Sequence, residues 1–231
     1  MHRVETRGAT EQFSGATPDS RNGDVRVDLR LTDRWRVLAR GQVQRKSAAT
    51  EERGGGGVEW RWTPATTLRA QALVGPSNRV LPEGDYLAEV QHTYKDATWT
   101  ASVRHFDFRG TGTTVLSPAV LWMPDRPLSL TLRYALSWTD TRTATTLQAG
   151  HSAHLEGAYR PYSRLSIQAG YAASVEDFDN FSRDRVGAFR ANTLSGGLRV
   201  YLPTMTAVVA QYEHQWLRRN SEIDRVTLSL Q

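Results

Sequence analysis

The chain has 231 residues, of which 39% are hydrophobic and 23% charged, a composition typical of folded proteins that argues against disorder. Cysteine is absent, which excludes a disulfide framework and any cysteine-ligated zinc or iron–sulfur centre. The formal charge of +5 would suit nucleic acid, but the arginines are spread along the whole chain and alternate with apolar residues, so we expect no nucleic-acid partner.

Alternation of apolar and polar residues, the pattern of half-buried strands, recurs along nearly the entire chain. It predicts about fourteen strands, with twelve as the alternative, each roughly ten residues long and able to cross a bilayer core when tilted. The predicted strands are 2–13, 24–32, 34–45, 57–63, 67–75, 85–95, 97–108, 113–123, 127–139, 147–160, 164–176, 191–202, 205–217 and 222–230. The start MHRVETRG has no apolar signal-peptide region, which fits a cytoplasmic protein or a trimmed piece, and Met1 inside an apparent strand favours trimming.

Short connections alternate with longer polar ones between the predicted strands. The short turns lie near Asp33, Pro64, Asp96, Pro124, Pro161 and Pro203, and the longer segments lie near 14–23, 46–56, 76–84, 109–112, 140–146, 177–190 and 218–221. Short turns on one rim and long loops on the other are typical of outer-membrane barrels. We see no linker and expect one domain over residues 1–231.

The aromatic residues indicate which face of the strands meets lipid. Alternation alone suits both a soluble barrel and a membrane barrel, but about fourteen strands enclose a lumen too wide for a dry apolar core. The apolar face carries tryptophans and tyrosines at strand ends, the level of the bilayer interfaces. They are Trp35, Trp62, Tyr94, Trp99, Trp122 and Tyr159 near the short turns, and Trp138 and Trp216 at the opposite ends. The pattern predicts an all-β fold, a single closed antiparallel transmembrane β-barrel of the bacterial outer membrane, with short periplasmic turns and longer extracellular loops.

Three stretches resemble the YaiO family of Gram-negative outer-membrane β-barrel proteins. They are the glycine-rich entry to an aromatic strand, GGGGVEWRWTP (54–64), the segment RVLPEGDYLAEVQHTY (79–94) and the hairpin segment VRHFDF (103–108). The resemblance extends more loosely over nearly the whole chain, and its motifs are structural. It implies an outer-membrane barrel and, for some members, a helical-repeat segment before the barrel and a location near polysaccharide-related genes. It implies hardly anything about activity.

The polar face of the strands carries the candidate functional residues. We expect these charged side chains to line the lumen: Arg26, Arg30, Arg36, Arg40, Glu59, Arg61, Arg69, Glu89, Arg104, Arg133, Glu156, Arg160, Arg199 and Glu213. One interpretation is a water-filled pore that favours anions, or a conduit for polar polymers such as glycans. The other is a cross-strand ion-pair network that braces or plugs the lumen, since opposite charges on neighbouring strands stabilise a sheet by about 0.2–1 kcal/mol per pair.

Strand parity disfavours metal and catalytic sites. His151 and His154 are three residues apart, so on a strand they face opposite sides and cannot share a metal ion. Ser152 likewise diverges from His151, although a hydrolase needs a hydrogen-bonded nucleophile–base pair. The glycines 54–57 lack the lysine and the helix of a phosphate-binding loop. We therefore expect no enzyme activity, no metal and no cofactor.

The predicted function is a pore or conduit for polar solutes, with a link to polysaccharide export. A closed structural barrel that anchors a periplasmic or surface partner is the alternative, and a soluble β-barrel that binds an apolar ligand is a weaker one. The expected partners are outer-membrane lipids, glycans or small polar solutes, and a periplasmic helical-repeat domain or protein. The loop 177–190 is expected to lie outside the barrel, with a constriction of the pore as the other interpretation.

Overall fold

Strands form almost all of the described part of the chain. The computed structural model describes residues 2–14, 19–46, 49–75, 80–124, 127–141, 148–173, 191–203, 206–217 and 221–231, and among them no helix is long and apolar enough to cross a membrane. The strands are β1 (Arg3–Phe13), β2 (Ser20–Arg30), β3 (Trp35–Lys46), β4 (Ala49–Arg61), β5 (Thr66–Val74), β6 (Gly84–Tyr94), β7 (Ala97–Phe108), β8 (Thr111–Trp122), β9 (Leu128–Thr141), β10 (Gln148–Tyr162), β11 (Leu165–Ala173), β12 (Ala191–Tyr201), β13 (Ala207–Leu217) and β14 (Ser221–Leu230).

The sheet closes on itself into a barrel. Each strand pairs antiparallel with the next strand in sequence, and β1 pairs with β14 in a register that includes Thr6 opposite Leu230 and Phe13 opposite Ile223. Closure satisfies the backbone hydrogen bonds of both terminal strands and leaves no sheet edge exposed. The predicted fourteen-stranded closed antiparallel barrel is therefore confirmed.

The apolar side chains of the wall point outwards. On β9, Leu132 and Trp138 are 51% and 39% exposed, whereas Ala135, Ser137 and Thr139, at the alternate positions, are 3% or less exposed. The same two-residue period holds on the other strands, because a single-layered wall has one inner and one outer face. An apolar outer face on this scale requires lipid around it. The weaker interpretation, an apolar pocket inside a soluble barrel, is therefore wrong.

The connections differ from the prediction in several places. In the predicted segment 14–23, β2 already begins at Ser20. The segments 46–56 and 109–112 were expected to be loops, but β3, β4, β7 and β8 extend into them and leave only 47–48 and 109–110 as connections. In the second of these, Gly110 has a φ of 89°, a conformation that favours glycine. Pro161, expected in a turn, lies within β10, beside a register irregularity between Tyr159 and Tyr162.

The two edges of the barrel are named by their connections. The turn rim is the edge with connections 31–34, 62–65, 95–96, 123–127, 163–164 and 202–206, and the loop rim is the opposite edge.

Glycines let β4 approach β5 closely. A Cβ atom on Gly55 would lie 2.1 Å from the carbonyl oxygen of Ala72, and one on Gly57 would lie 2.4 Å from that of Ala70. No side chain fits at these distances, so glycine is required at both positions. Both lie on the inner face of β4, the face that also carries Arg53 and Glu59.

Candidate functional site in the barrel lumen

A row of alternating charges crosses the inner wall near the turn rim. Register pairs place these side chains on neighbouring strands β3 to β6: Arg36, Glu59, Arg69 and Glu89. Arg36 contacts Glu59 at 3.4 Å, whereas Arg69 donates to the side-chain oxygen of Gln71 at 2.8 Å and keeps a buried Nε atom without a partner in the described part of the chain. The row is thus only partly paired within the described residues.

Arginine–aspartate pairs continue this polar wall on β2 and β3. Arg26 contacts Asp28 at 2.9 Å, and Arg40 contacts Asp24 at 2.6 Å. Arg30 pairs with Asp33 at the exposed turn rim. Pairs at such partly hydrated positions stabilise the wall modestly.

The strongest network lies higher in the lumen, around Asp85. Arg104 donates to both carboxylate oxygens of Asp85 at 2.7 Å, and Arg53 donates to one of them at 2.9 Å and to Gln42 at 2.6 Å. The side chains of Arg53 and Asp85 are 0% and 2% exposed. The two guanidinium groups share one buried carboxylate, and this ties β4 to β6 and β7.

A second network closes the seam between the first and last strands. Arg225 on β14 donates to Glu11 on β1 at 2.8 Å and to Glu213 on β13 at 2.8 Å. The hydroxyl of Ser20 also donates a hydrogen bond of 2.6 Å to the carboxylate of Glu11. These contacts join three strands that carry the two ends of the sheet, so they reinforce barrel closure.

An apolar group fills the lumen beside the Asp85 network. Phe106 and Phe108 on β7 point inwards, are 0% and 1% exposed, and pack with Val115 and Ala135. In the connection before β6, Leu81 is also buried, and its backbone N–H donates to the carboxylate of Glu51 at 2.7 Å. The group therefore obstructs this side of the lumen towards the loop rim.

Below this obstruction lies a chamber of about 470 Å³. Its lining reaches from Asp85 and Arg104 to Thr98 and Leu121 near the turn rim. It includes the arginines Arg7, Arg26, Arg40, Arg69, Arg104 and Arg133 and the carboxylates Glu5, Asp24, Asp85 and Glu89. Six basic side chains and four acidic ones therefore line this space, so basic groups predominate in its lining.

The predicted lumen residues all lie on the inner face, but the structure does not bring all of them together. The chamber contains Arg26, Arg40, Arg69, Glu89, Arg104 and Arg133, with Arg30, Arg36, Glu59 and Arg61 on adjacent strands towards the turn rim. Glu213 belongs to the seam network, and Glu156, Arg160 and Arg199 lie on β10 and β12, outside the lining of the chamber. Arg160 donates to the hydroxyl of Tyr201 at 2.8 Å.

Several important lumen residues were not predicted. The networks depend on Arg53, Asp85, Glu11 and Arg225, and the obstruction depends on Phe106 and Phe108. One signal was available in the sequence, because the two phenylalanines share the face of Thr98, Ser102 and Arg104 and so break the polar pattern of that face.

The predicted interface aromatics all lie on the outer wall. Each is between 39% and 62% exposed: Trp35, Trp62, Tyr94, Trp99, Trp122, Trp138, Tyr159 and Trp216. Trp60, which the sequence analysis did not single out, stacks on Trp35 with ring centroids 5.7 Å apart. Two aromatic belts therefore flank the apolar band.

The histidines do not assemble a metal site in the described residues. His151 is exposed on the outer face, while Ser152 beside it is buried on the inner face, so the two diverge as parity predicts. On the outer wall, His214 shares a hydrogen bond of 2.7 Å with Asp224, which also accepts one of 2.5 Å from Tyr212. The absence of enzyme activity stays a prediction.

Comparison with known proteins gives the fold a context. No protein-family model matches the chain, and the search of curated proteins gives no match. A FadL homologue of Pseudomonas aeruginosa resembles it with a TM-score of 0.66 at 8% identity, over 99% of this chain and 89% of that one. A bacterial polysaccharide outer membrane secretin resembles it with a TM-score of 0.60 at 11% identity, over 100% of this chain and 97% of that one. OccK3 of P. aeruginosa resembles it with a TM-score of 0.53 at 10% identity, over 99% of this chain and 94% of that one. The chain has the fold of an outer-membrane β-barrel.

Together, the fold and the outer wall place this barrel in the bacterial outer membrane. The outer face provides the apolar band and both aromatic belts that this membrane requires, and the inner face is polar.

Proposed function

We propose that the barrel is a conduit for small polar solutes with a preference for anions. The observation that carries the proposal is the chamber, a polar space in which six arginines face four carboxylates. Three of those arginines, Arg26, Arg40 and Arg104, are paired with aspartates. Arg133 extends its exposed side chain into the same space from β9. A fixed positive wall lowers the energy of an entering anion and raises that of a cation.

The Asp85 network and the phenylalanines supply a restriction on passage. They occupy the lumen between the chamber and the loop rim on the β4–β8 side. A solute therefore moves past a narrow, partly apolar region, which suits small solutes better than a wide aqueous pore does.

Recordings from planar bilayers test the proposal directly. The purified barrel should give a steady conductance, and in a salt gradient its zero-current potential should indicate anion preference. Arg133→Glu should shift that potential towards cations, because it reverses the sign of an exposed charge in the chamber. Arg109→Glu, in an exposed two-residue turn at the loop rim, is the matched charge reversal outside the chamber and should leave the selectivity unchanged.

A closed barrel that anchors a partner is the second candidate. It is favoured by the same obstruction, and by the buried Arg53–Asp85 and Arg225–Glu11 pairs, which brace the wall. Silence at all voltages, in the wild type and in a Phe106→Ala, Phe108→Ala variant, would support the anchor and contradict the conduit.

A link to polysaccharide export and membership of the YaiO family remain part of this proposal. They are supported by the sequence resemblance and by the likeness in fold to a polysaccharide secretin. Glycans or other polar solutes are then the expected cargo, outer-membrane lipids surround the wall, and a periplasmic helical-repeat domain or protein is the expected partner.

A further inference from the structure

Two arginines stand side by side on the outer wall, facing away from the lumen. Arg21 on β2 and Arg45 on β3 are directly opposite each other in the register, and both are exposed. In the described part of the chain neither has a hydrogen bond or an ion pair. Like charges on directly opposed positions destabilise a sheet, so the pair calls for an anion between or beside the two guanidinium groups.

The height of the pair matches the headgroups of the outer leaflet. Arg45 follows the interface residue Trp35 by ten positions on β3. At about 3.3 Å per residue and a tilt of roughly 40°, this separation is about 25 Å, the height of the apolar band of an outer-membrane barrel. Elsewhere on this rim the equivalent level carries exposed aromatics, Trp138 on β9 and Trp216 on β13. At β2 and β3 a cationic pair takes their place.

A groove of about 970 Å³ runs directly beneath the arginines; most of its wall consists of apolar side chains and glycines, and the exposed Glu52 on β4 also lines it. Gly23 lies two positions below Arg21, and Gly41 lies four below Arg45. One row of register pairs follows the groove from β13 to β5 and climbs from the turn rim towards the loop rim: Val208, Leu230, Thr6, Val25, Gly41, Gly54 and Val74. A Cβ atom on Gly8 or Gly41 would meet nothing within 4 Å, so the glycines leave a slot in the wall.

We propose that this sector of the outer wall binds one lipid of the outer leaflet through a phosphate group. Arg21 and Arg45 hold the phosphate, and an acyl chain lies in the groove below them. The positive charge of the pair selects an anionic headgroup over a zwitterionic one, and Arg–phosphate contacts are the strong, bidentate kind. The site lies outside the lumen and does not depend on conduction.

The test measures lipid retained by the purified, folded barrel in neutral detergent. Lipid A, with its phosphates and acyl chains, is the probe, phosphatidylcholine is the neutral lipid, and native mass spectrometry counts bound molecules. Wild type should retain one lipid A and no phosphatidylcholine. The double variant Arg21→Ser, Arg45→Ser should bind lipid A about tenfold more weakly or worse, since each basic residue near an anionic surface contributes appreciably. The control variant Arg109→Ser, Arg164→Ser removes two exposed arginines that lie in turns away from the groove, and it should bind lipid A as the wild type does.

A second pair of variants separates a lipid from a free phosphate. Gly41→Leu fills the groove without a steric conflict and should weaken lipid A binding, whereas Gly196→Leu on the outer face of β12 should not. Inorganic phosphate at millimolar concentration should fail to displace the lipid. The proposal is overturned if wild type retains no lipid A, or if the arginine variant binds it equally well. Full displacement by phosphate, with no effect of Gly41→Leu, would identify a free-phosphate site instead.

Discussion

At the scale of single residues, burial separates the ion pairs that determine stability from those that do not. Asp85 is 2% exposed and contacts two guanidinium groups, one of which, that of Arg53, is 0% exposed. Asp28, on the lower wall, is 15% exposed and pairs with an arginine that is 31% exposed. When the Arg26–Asp28 pair breaks, water solvates both charges, whereas water does not reach the buried Arg53–Asp85 pair.

Asp85→Asn should therefore destabilise the barrel by about 3–5 kcal/mol, because it removes the carboxylate charge that Arg104 and the fully buried Arg53 both contact. Asp28→Asn, the matched control, should cost at most about 1 kcal/mol. Urea unfolding of the barrel in lipid vesicles, followed by tryptophan fluorescence, measures both free energies. Equal losses for the two variants would show that the Asp85 network is hydrated and does not carry the stability assigned to it.

At the scale of the strands, β4 shows where sequence patterns stop being informative. The run of glycines at 54–57 has no side chains to alternate, so the period-two signal disappears and the sequence predicts a loop where the strand continues from Ala49. The strands with regular side-chain alternation, such as β7 and β9, were predicted almost to their ends. The alternation also gave the inner and outer faces, since the wall is one layer thick.

The contents of the lumen were less predictable, because they depend on contacts between residues far apart in sequence. Arg53 and Asp85 lie on β4 and β6 with β5 between them, and register alone does not show that their side chains meet across it. The connection before β6 is held by Glu51, which accepts the backbone N–H groups of Val80 and Leu81, a contact that no local pattern encodes. The loop 177–190 lies outside the described residues.

Gly55→Ala tests the role of close approach in β4. Its Cβ would lie 2.1 Å from the Ala72 oxygen and 2.9 Å from Leu73 Cα, so one strand must move, and we expect a loss of roughly 1–3 kcal/mol in the free energy of unfolding. Gly54→Ala, one residue earlier, places its Cβ at an ordinary 3.7 Å from the Arg40 oxygen and should leave stability unchanged or slightly raised. Heat-modifiable migration in gels and urea unfolding in vesicles report on both. A neutral Gly55→Ala would contradict a steric requirement for glycine at this position.

At the scale of the whole molecule, the barrel is inverted relative to a water-soluble one. Apolar side chains face outwards along its strands, and charged ones fill the space that a soluble fold would keep dry. The mean hydropathy of -0.52 follows from this arrangement, because only alternate residues of each strand contact lipid. Lipid is therefore a component of the folded state, and substitutions on the two faces should have opposite tolerances.

Leu132 and Arg133, adjacent on β9, allow that asymmetry to be measured at one position of the wall. Leu132 is 51% exposed on the lipid face near the middle of its strand, and Leu132→Arg should cost roughly 2–4 kcal/mol because it places a charge near the bilayer midplane. Arg133 faces the hydrated chamber, so Arg133→Leu should change stability by only about 0.5 kcal/mol. Unfolding in vesicles gives both values. If Leu132→Arg is as mild as Arg133→Leu, or if the wild type is a stable monomer without detergent, the outer face does not contact lipid and the membrane placement fails.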